Sequence, residues 1–104
     1  EIIGAALEIA GEVKVRVTVV KDFKYKLPLI ETKDKWITLG SRKTMEEASD
    51  LAINNMVDLI LDKTELTVNQ AGMLLSMVGN LRVCQIVDPN MTMRMELDKK
   101  YLNE

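Results

Sequence analysis

The stretch Leu66–Asp88, LTVNQAGMLLSMVGNLRVCQIVD, constrains this chain more than any other. An apolar helix there runs straight into an apolar strand. Thr67 reads as the N-cap, and Gln70 three residues on completes a capping box. A helix follows from about Val68 to Gly79. At helical spacing Val68, Ala71, Leu75 and Val78 share one face, and Met73, Leu74 and Met77 cover most of the rest. Gly72, Ser76 and Gly79 form a stripe of small side chains against which another backbone fits closely. A helix apolar on nearly every side is expected to lie sandwiched between other elements. Gly79-Asn80 tolerates left-handed geometry and ends the helix. Leu81–Val87, rich in β-branched residues, follows as a core strand.

A chain of 104 residues is one domain by size. Folding such a chain buries roughly two-thirds of its unfolded surface, enough for one core. Net charge is −2 and the cations are spread out, which argues against nucleic acid as a partner. Cys84 is the single cysteine, so an internal disulfide framework is excluded and a reducing cytoplasm fits. No apolar run approaches the roughly 18 residues of a membrane span, and no membrane partner is expected. No charged n-region with an apolar h-region opens the chain, so no signal peptide is visible. Histidine is absent, which removes the commonest general base and metal ligand. The sequence begins at Glu1 without methionine, which fits processing, trimming, or the rear half of something longer.

Before the central stretch, Glu1–Ala10 reads as a strand with small residues at Gly4, Ala5 and Ala6, punctuated by Gly11. Val13, Val15, Val17 and Val19 alternate with Lys14, Arg16 and Thr18, the pattern of a half-buried strand with its valines inward. Burial of each valine is worth about 1.5–3 kcal/mol. Lys21-Asp22 is a turn candidate before an edge-like Phe23–Leu27. Pro28 keeps Leu27 extended, and Leu29–Thr32 is a short strand. After the turn Lys33-Asp34-Lys35 comes the strand Trp36–Leu39, ended by Gly40. Thr44 is an N-cap with Glu47 at the capping-box position, and the helix runs to about Leu61. Its apolar face is Met45, Ala48, Ala52, Met56, Leu59 and Ile60, opposite Glu47, Asp50, Asn54 and Asp58. Beyond Val87 the turn Asp88-Pro89-Asn90 leads to Met91–Leu97, whose methionines alternate with Thr92, Arg94 and Glu96. The two strands read as an antiparallel hairpin with a three-residue loop, and Asp98–Glu104 as a polar tail. The fold class expected is α+β: antiparallel strands, two core helices and a C-terminal β-hairpin.

Few residues carry chemistry. Cys84 lies in a strand that reads as buried, with no histidine to raise its thiolate fraction, and is expected to be an inert core thiol. Met91, Met93 and Met95 have the spacing of core or interface packing rather than metal binding. Asp50, Asn54 and Asp58 are a solvated helix face. Glu31 and Asp34 flank a turn, and paired carboxylates there invite acid/base chemistry, but no second signal accompanies them. No phosphate loop or Cys-x-x-Cys pair is present. Judged alone, the chain lacks a full catalytic constellation.

Four stretches together resemble the C-terminal portion of the acetamidase/formamidase family. Glu1–Glu8, EIIGAALE, looks like the end of that family's Gly-Asp-Gly-Glu motif with its continuation Gly-x-Ala-x-Glu. Ile30-Glu31-Thr32 and Trp36–Gly40 are similar to its Glu-Thr and Ile-Thr-Gly segment. Gln70–Ser76 resembles its Ala-x-x-Leu-Leu-Ser helix, and Asn80–Asp88 its Asp-Leu-Arg-Val-x-Gln-Val-Val strand, with Asn80 in place of the aspartate. The resemblance covers nearly all of residues 1–104 and implies the rear part of a larger β-rich enzyme. It implies an amidohydrolase converting small linear amides such as formamide and acetamide to carboxylate and ammonia. A divalent metal, zinc or calcium, is implied, bound mainly by histidine and aspartate residues upstream. Such a metal polarises the amide carbonyl and lowers the pKa of bound water. Glu1 alone carries over as a site residue: it closes the motif and is expected to be catalytic, as proton shuttle or metal ligand. Implied partners are the upstream portion of the same enzyme, further copies in a homo-oligomer, and a small amide substrate. The competing reading is a non-catalytic structural or oligomerisation module.

Overall fold

The computed structural model describes residues 1–87 and 89–102. In chain order it contains β1 (Leu29–Glu31), β2 (Lys35–Arg42), α1 (Met45–Lys63), α2 (Val68–Val78), β3 (Asn80–Gln85) and β4 (Met91–Asp98), then a 3-10 turn at Lys99–Leu102. The strands make one antiparallel sheet in the order β1-β2-β4-β3. This is the expected α+β class. The β3–β4 hairpin is present, and β4 returns to the sheet centre beside β2.

Strand alternation divides the sheet into two faces. Trp36 pairs with Leu97, Thr38 with Met95 and Gly40 with Met93, and this face carries the core. Across it lies α1, which buries Ala48, Ala52, Met56, Leu59 and Ile60. Thr38 Oγ1 donates to the Ala52 carbonyl at 2.6 Å, a buried tie between strand and helix. Met93 and Met95 are core, as their spacing predicts. Thr44 caps α1 by accepting the Glu47 N–H at 3.2 Å. The full capping box of Thr67 and Gln70 starts α2. The other face presents Ile37, Leu39, Arg94 and Glu96, and neither helix packs on it.

Several expectations need correction. Residues 1–20 contain no strand: beyond the two backbone bonds of Glu1 to residues 84 and 86, they make no ladder with the sheet. The turn at 21–22 is present, with Asp22 at φ 58°, a conformation that aspartate tolerates. Residues 23–27 form no strand; Tyr25 Oη instead donates to Asp62 Oδ2 at 2.7 Å, and Lys24 pairs with the same carboxylate. The Leu27–Pro28 peptide is cis. β2 does not end at Gly40 but runs through it, since α1 crosses there so closely that a Cβ would overlap the Ala48 carbonyl and sit 2.9 Å from Ala52 N. Met45 is exposed, one turn short of that crossing. Helix α1 continues past Leu61 to Lys63, and Thr64 Oγ1 donates to the Ile60 carbonyl at 2.8 Å.

The central stretch is only half core. Ala71 and Leu75 are buried in α2, but Val68, Met73 and Met77 are exposed, and a Cβ on Gly72 would meet nothing within 4 Å. The helix is covered on one side, not sandwiched. Gly79 has φ −74°, so left-handed geometry is not its purpose. A Cβ there would crowd Met95 and stand 2.6 Å from the Leu75 carbonyl that caps the helix. β3 is an edge strand, stops at Gln85, carries a bulge between Val83 and Gln85, and exposes Leu81. Beyond β4, Lys99–Leu102 is not merely polar tail, since Leu102 enters the core. The predicted turn residue Asp88 and the tail residues Asn103 and Glu104 lie outside the described residues.

Candidate functional site

Glu1 is the residue to locate first. Its nitrogen donates to the Cys84 carbonyl at 2.7 Å, and its own carbonyl accepts the Ile86 N–H at 3.0 Å. These two bonds have the slanted pattern of a parallel bridge opposite Gln85. The backbone of Glu1 is thereby fixed to the free edge of β3 beside its bulge, and the side chain is exposed.

Next to this attachment lies a charged network on the helix-free face. Arg94 and Glu96, two apart on β4, project on the same side. Arg82 of β3 sits directly across from Arg94, a like-charge pairing that costs stability unless a counterion intervenes. Glu96 is that counterion. It is 6% exposed, with Arg94 Nε 2.7 Å from Oε1, and with Lys35 Nζ 3.1 Å and Arg82 Nε 3.6 Å from Oε2. The Arg94 hydrogen bond, against the opposing effect of burial and with further help from Lys35, holds this carboxyl below its ordinary pKa of 4.5. A carboxylate so held stays ionised at neutral pH and is a poor proton donor.

Glu96 therefore orients rather than reacts. It aims Arg94, whose Nη1 donates to the Val83 carbonyl at 3.3 Å and to Cys84 Sγ at 3.5 Å. Contacts with Cys84 and then Glu96 favour the charged form of this guanidinium. The chain of contacts runs Glu96–Arg94–Cys84 and ends at the carbonyl that fixes Glu1. Cys84 is half-buried beside the Arg94 guanidinium and not in the core, where its strand pattern leads one to expect it. The alternation of Arg94 and Glu96 with the β4 methionines is the sequence signal that points to this network.

The other candidates do not converge on Glu1. Glu31 is paired with Lys99, and Asp34 contributes its backbone carbonyl, which accepts the Lys99 N–H at 2.9 Å. Asp50, Asn54 and Asp58 are exposed, as a solvated face should be. Among the described residues no three His, Cys, Asp or Glu side chains group closely enough to hold a metal ion. The residues present do not fit a metal site of their own, and Glu1 offers at most one ligand. No buried side-chain nitrogen or oxygen among the described residues lacks a hydrogen-bond partner. No helix among them is long and apolar enough to cross a membrane.

Comparison with known proteins yields a consistent set of neighbours. No family model matches the chain, and no curated protein matches it. Solved structures do, among them the following three. The acetamidase of Bacillus halodurans is 37% identical with a TM-score of 0.72, over 76% of this chain and 27% of that one. A predicted acetamidase/formamidase of the thermophile Thermoanaerobacter tengcongensis is 28% identical with a TM-score of 0.74, over 81% and 28%. The acetamidase of Yersinia enterocolitica is 26% identical with a TM-score of 0.76, over 82% and 26%. Fold and sequence agree across all three: the chain belongs to the acetamidase/formamidase family and spans little more than a quarter of the length of these relatives.

Proposed function

We propose that residues 1–104 are the rear portion of a cytoplasmic amidohydrolase. It adds water to a small linear amide such as formamide or acetamide, breaks the carbon–nitrogen bond, and releases a carboxylate and ammonia. The observation that carries this reading is the shared fold with 37% identity to an acetamidase over 76% of the chain. In this enzyme Glu1 contributes its carboxylate as proton shuttle or metal ligand, on a backbone clamped to β3 through Cys84 and Ile86. Arg94 and Glu96 are positioning residues that steady that clamp. A divalent metal, zinc or calcium, belongs with ligands on the remaining portion, since the described residues assemble no metal site. The exposed outer face of α2, with Val68, Met73 and Met77, suits a contact with that portion or with another copy in a homo-oligomer.

Ammonia release from formamide and acetamide by the complete enzyme, with and without chelator, tests the reading. Release that a chelator abolishes supports both the chemistry and the metal. No release under any metal condition overturns the amidase and leaves a non-catalytic structural module.

A further inference from the structure

Residues 1–20 are tied down at both ends and bare between. At one end Glu1 is bonded to Cys84 and Ile86. At the other, just past the turn at 21–22, Tyr25 and Lys24 hold Asp62 of α1, and the Phe23 and Tyr25 rings meet edge to face at 5.6 Å. Between these anchors Val13, Val15, Val17 and Val19 are 84%, 75%, 89% and 82% exposed, and no helix or strand forms. Yet the valines alternate strictly with Lys14, Arg16 and Thr18, a period that fits a strand with one dry and one wet face. The relatives are nearly four times as long as the stretch they share with this chain, so most of the enzyme lies outside residues 1–104.

We infer that residues 13–20 are the strand that joins this portion to the remaining portion of its own enzyme. They add to a free sheet edge there, with the valines turned to that portion's core and Lys14, Arg16 and Thr18 to water. Backbone hydrogen bonds supply the pairing, and the valine row sets which face is inward. The inference rests on the reading of the chain as one portion of a larger amidase.

Hydrogen exchange of the 104-residue chain alone and of the complete enzyme tests it. Amides 13–20 should exchange freely in the chain alone and slow by on the order of 100-fold or more in the complete enzyme. In the complete enzyme Lys14→Glu should keep that protection and Val15→Glu should lose it, with the α1 amides in the same measurement reporting whether the fold persists. Free exchange of amides 13–20 in the complete enzyme overturns the inference. So does protection in the chain alone that rises with its concentration, the mark of a second copy. Loss of protection in Lys14→Glu with α1 intact overturns the facing. Ammonia release from the same preparation separates the two readings: release without protection sinks the strand, and protection without release sinks the amidase.

Discussion

Gly40→Ala in the chain should be destabilising, although the backbone there permits alanine. No glycine among the described residues has positive φ, so the added methyl meets no conformational barrier. It meets α1 instead. The new Cβ would overlap the Ala48 carbonyl and stand 2.9 Å from Ala52 N and 3.0 Å from Leu51 Cβ. Two of those three atoms are backbone, so no side-chain rotation makes room and the helix must lift from the sheet. Lifting it loosens Ala48, Ala52 and Met56, all fully buried, and stretches the bond from Thr38 to the Ala52 carbonyl. Overpacking of a tight core costs typically about 1–3 kcal/mol. A rigid backbone obstacle puts this site at the upper end. Reduced freedom of the unfolded chain returns about 0.4–1 kcal/mol. The net loss is about 2 kcal/mol, which lowers the melting temperature by roughly 8–16 °C for a domain near this size. Gly72→Ala is the matched control, since nothing lies within 4 Å of its Cβ position in the middle of α2. There the same chemical change should stabilise by about 0.5–1 kcal/mol. Urea unfolding followed by far-UV circular dichroism measures both. A Gly40→Ala chain within about 0.5 kcal/mol of the parent, the usual scatter of an innocuous surface change, would refute the close helix crossing.

Leu97→Ala empties a fully buried position beneath α1 and should cost about 2–5 kcal/mol in the same unfolding assay. Glu96→Gln removes the shared counterion of Arg82, Arg94 and Lys35 and should cost about 1–3 kcal/mol at pH 7. Because the folded-state pKa of Glu96 is depressed, its contribution is present above the ordinary 4.5 and fades as pH falls through the lower folded value. Urea midpoints measured from pH 7 down to pH 3 should therefore converge for parent and Glu96→Gln toward the acid end. In the complete enzyme Glu1→Gln should lower turnover by about 10²–10⁴-fold, the range for loss of a positioned acid or base, with an unchanged circular dichroism spectrum.

The parts legible in the sequence are those whose determinants are local. Thr44 and Thr67 with their partners three residues on mark both helix starts. Alternation of Met91, Met93 and Met95 marks β4 and its inward face, and Asp50, Asn54 and Asp58 mark the wet side of α1. What is not legible depends on how elements meet. Gly40 reads as a strand terminator until α1 is laid across it, and Gly79 as a left-handed cap until Met95 is packed beneath it. The charged network around Glu96 follows from the β3–β4 register, which places Arg82 across from Arg94 and depends on the bulge near Cys84. The alternation of Arg94 and Glu96 with the β4 methionines marks the face they share, but not their meeting with Arg82 and Lys35. Glu1 is legible only through the family motif, and its attachment to β3 only in the fold.

The misread residues share a property. Val13, Val15, Val17 and Val19, then Val68, Met73 and Met77, and Leu81 at the edge of β3 are all expected inside and all found exposed. They do not scatter: one set has strand period, another lies along a helix, and the third borders a sheet edge. An isolated exposed apolar residue on a protein surface needs no explanation, but periodic sets of them carry a cost in solubility unless something covers them. The same periodicities correctly locate Ala52, Met56, Met95 and Leu97 in the core. A rule that succeeds at the centre and fails at Met45, the valine segment, the outer side of α2 and the β3 edge fits a body larger than this chain. On the proposed reading the last three of these places are where the remaining portion of the amidase, or another copy of it, comes into contact.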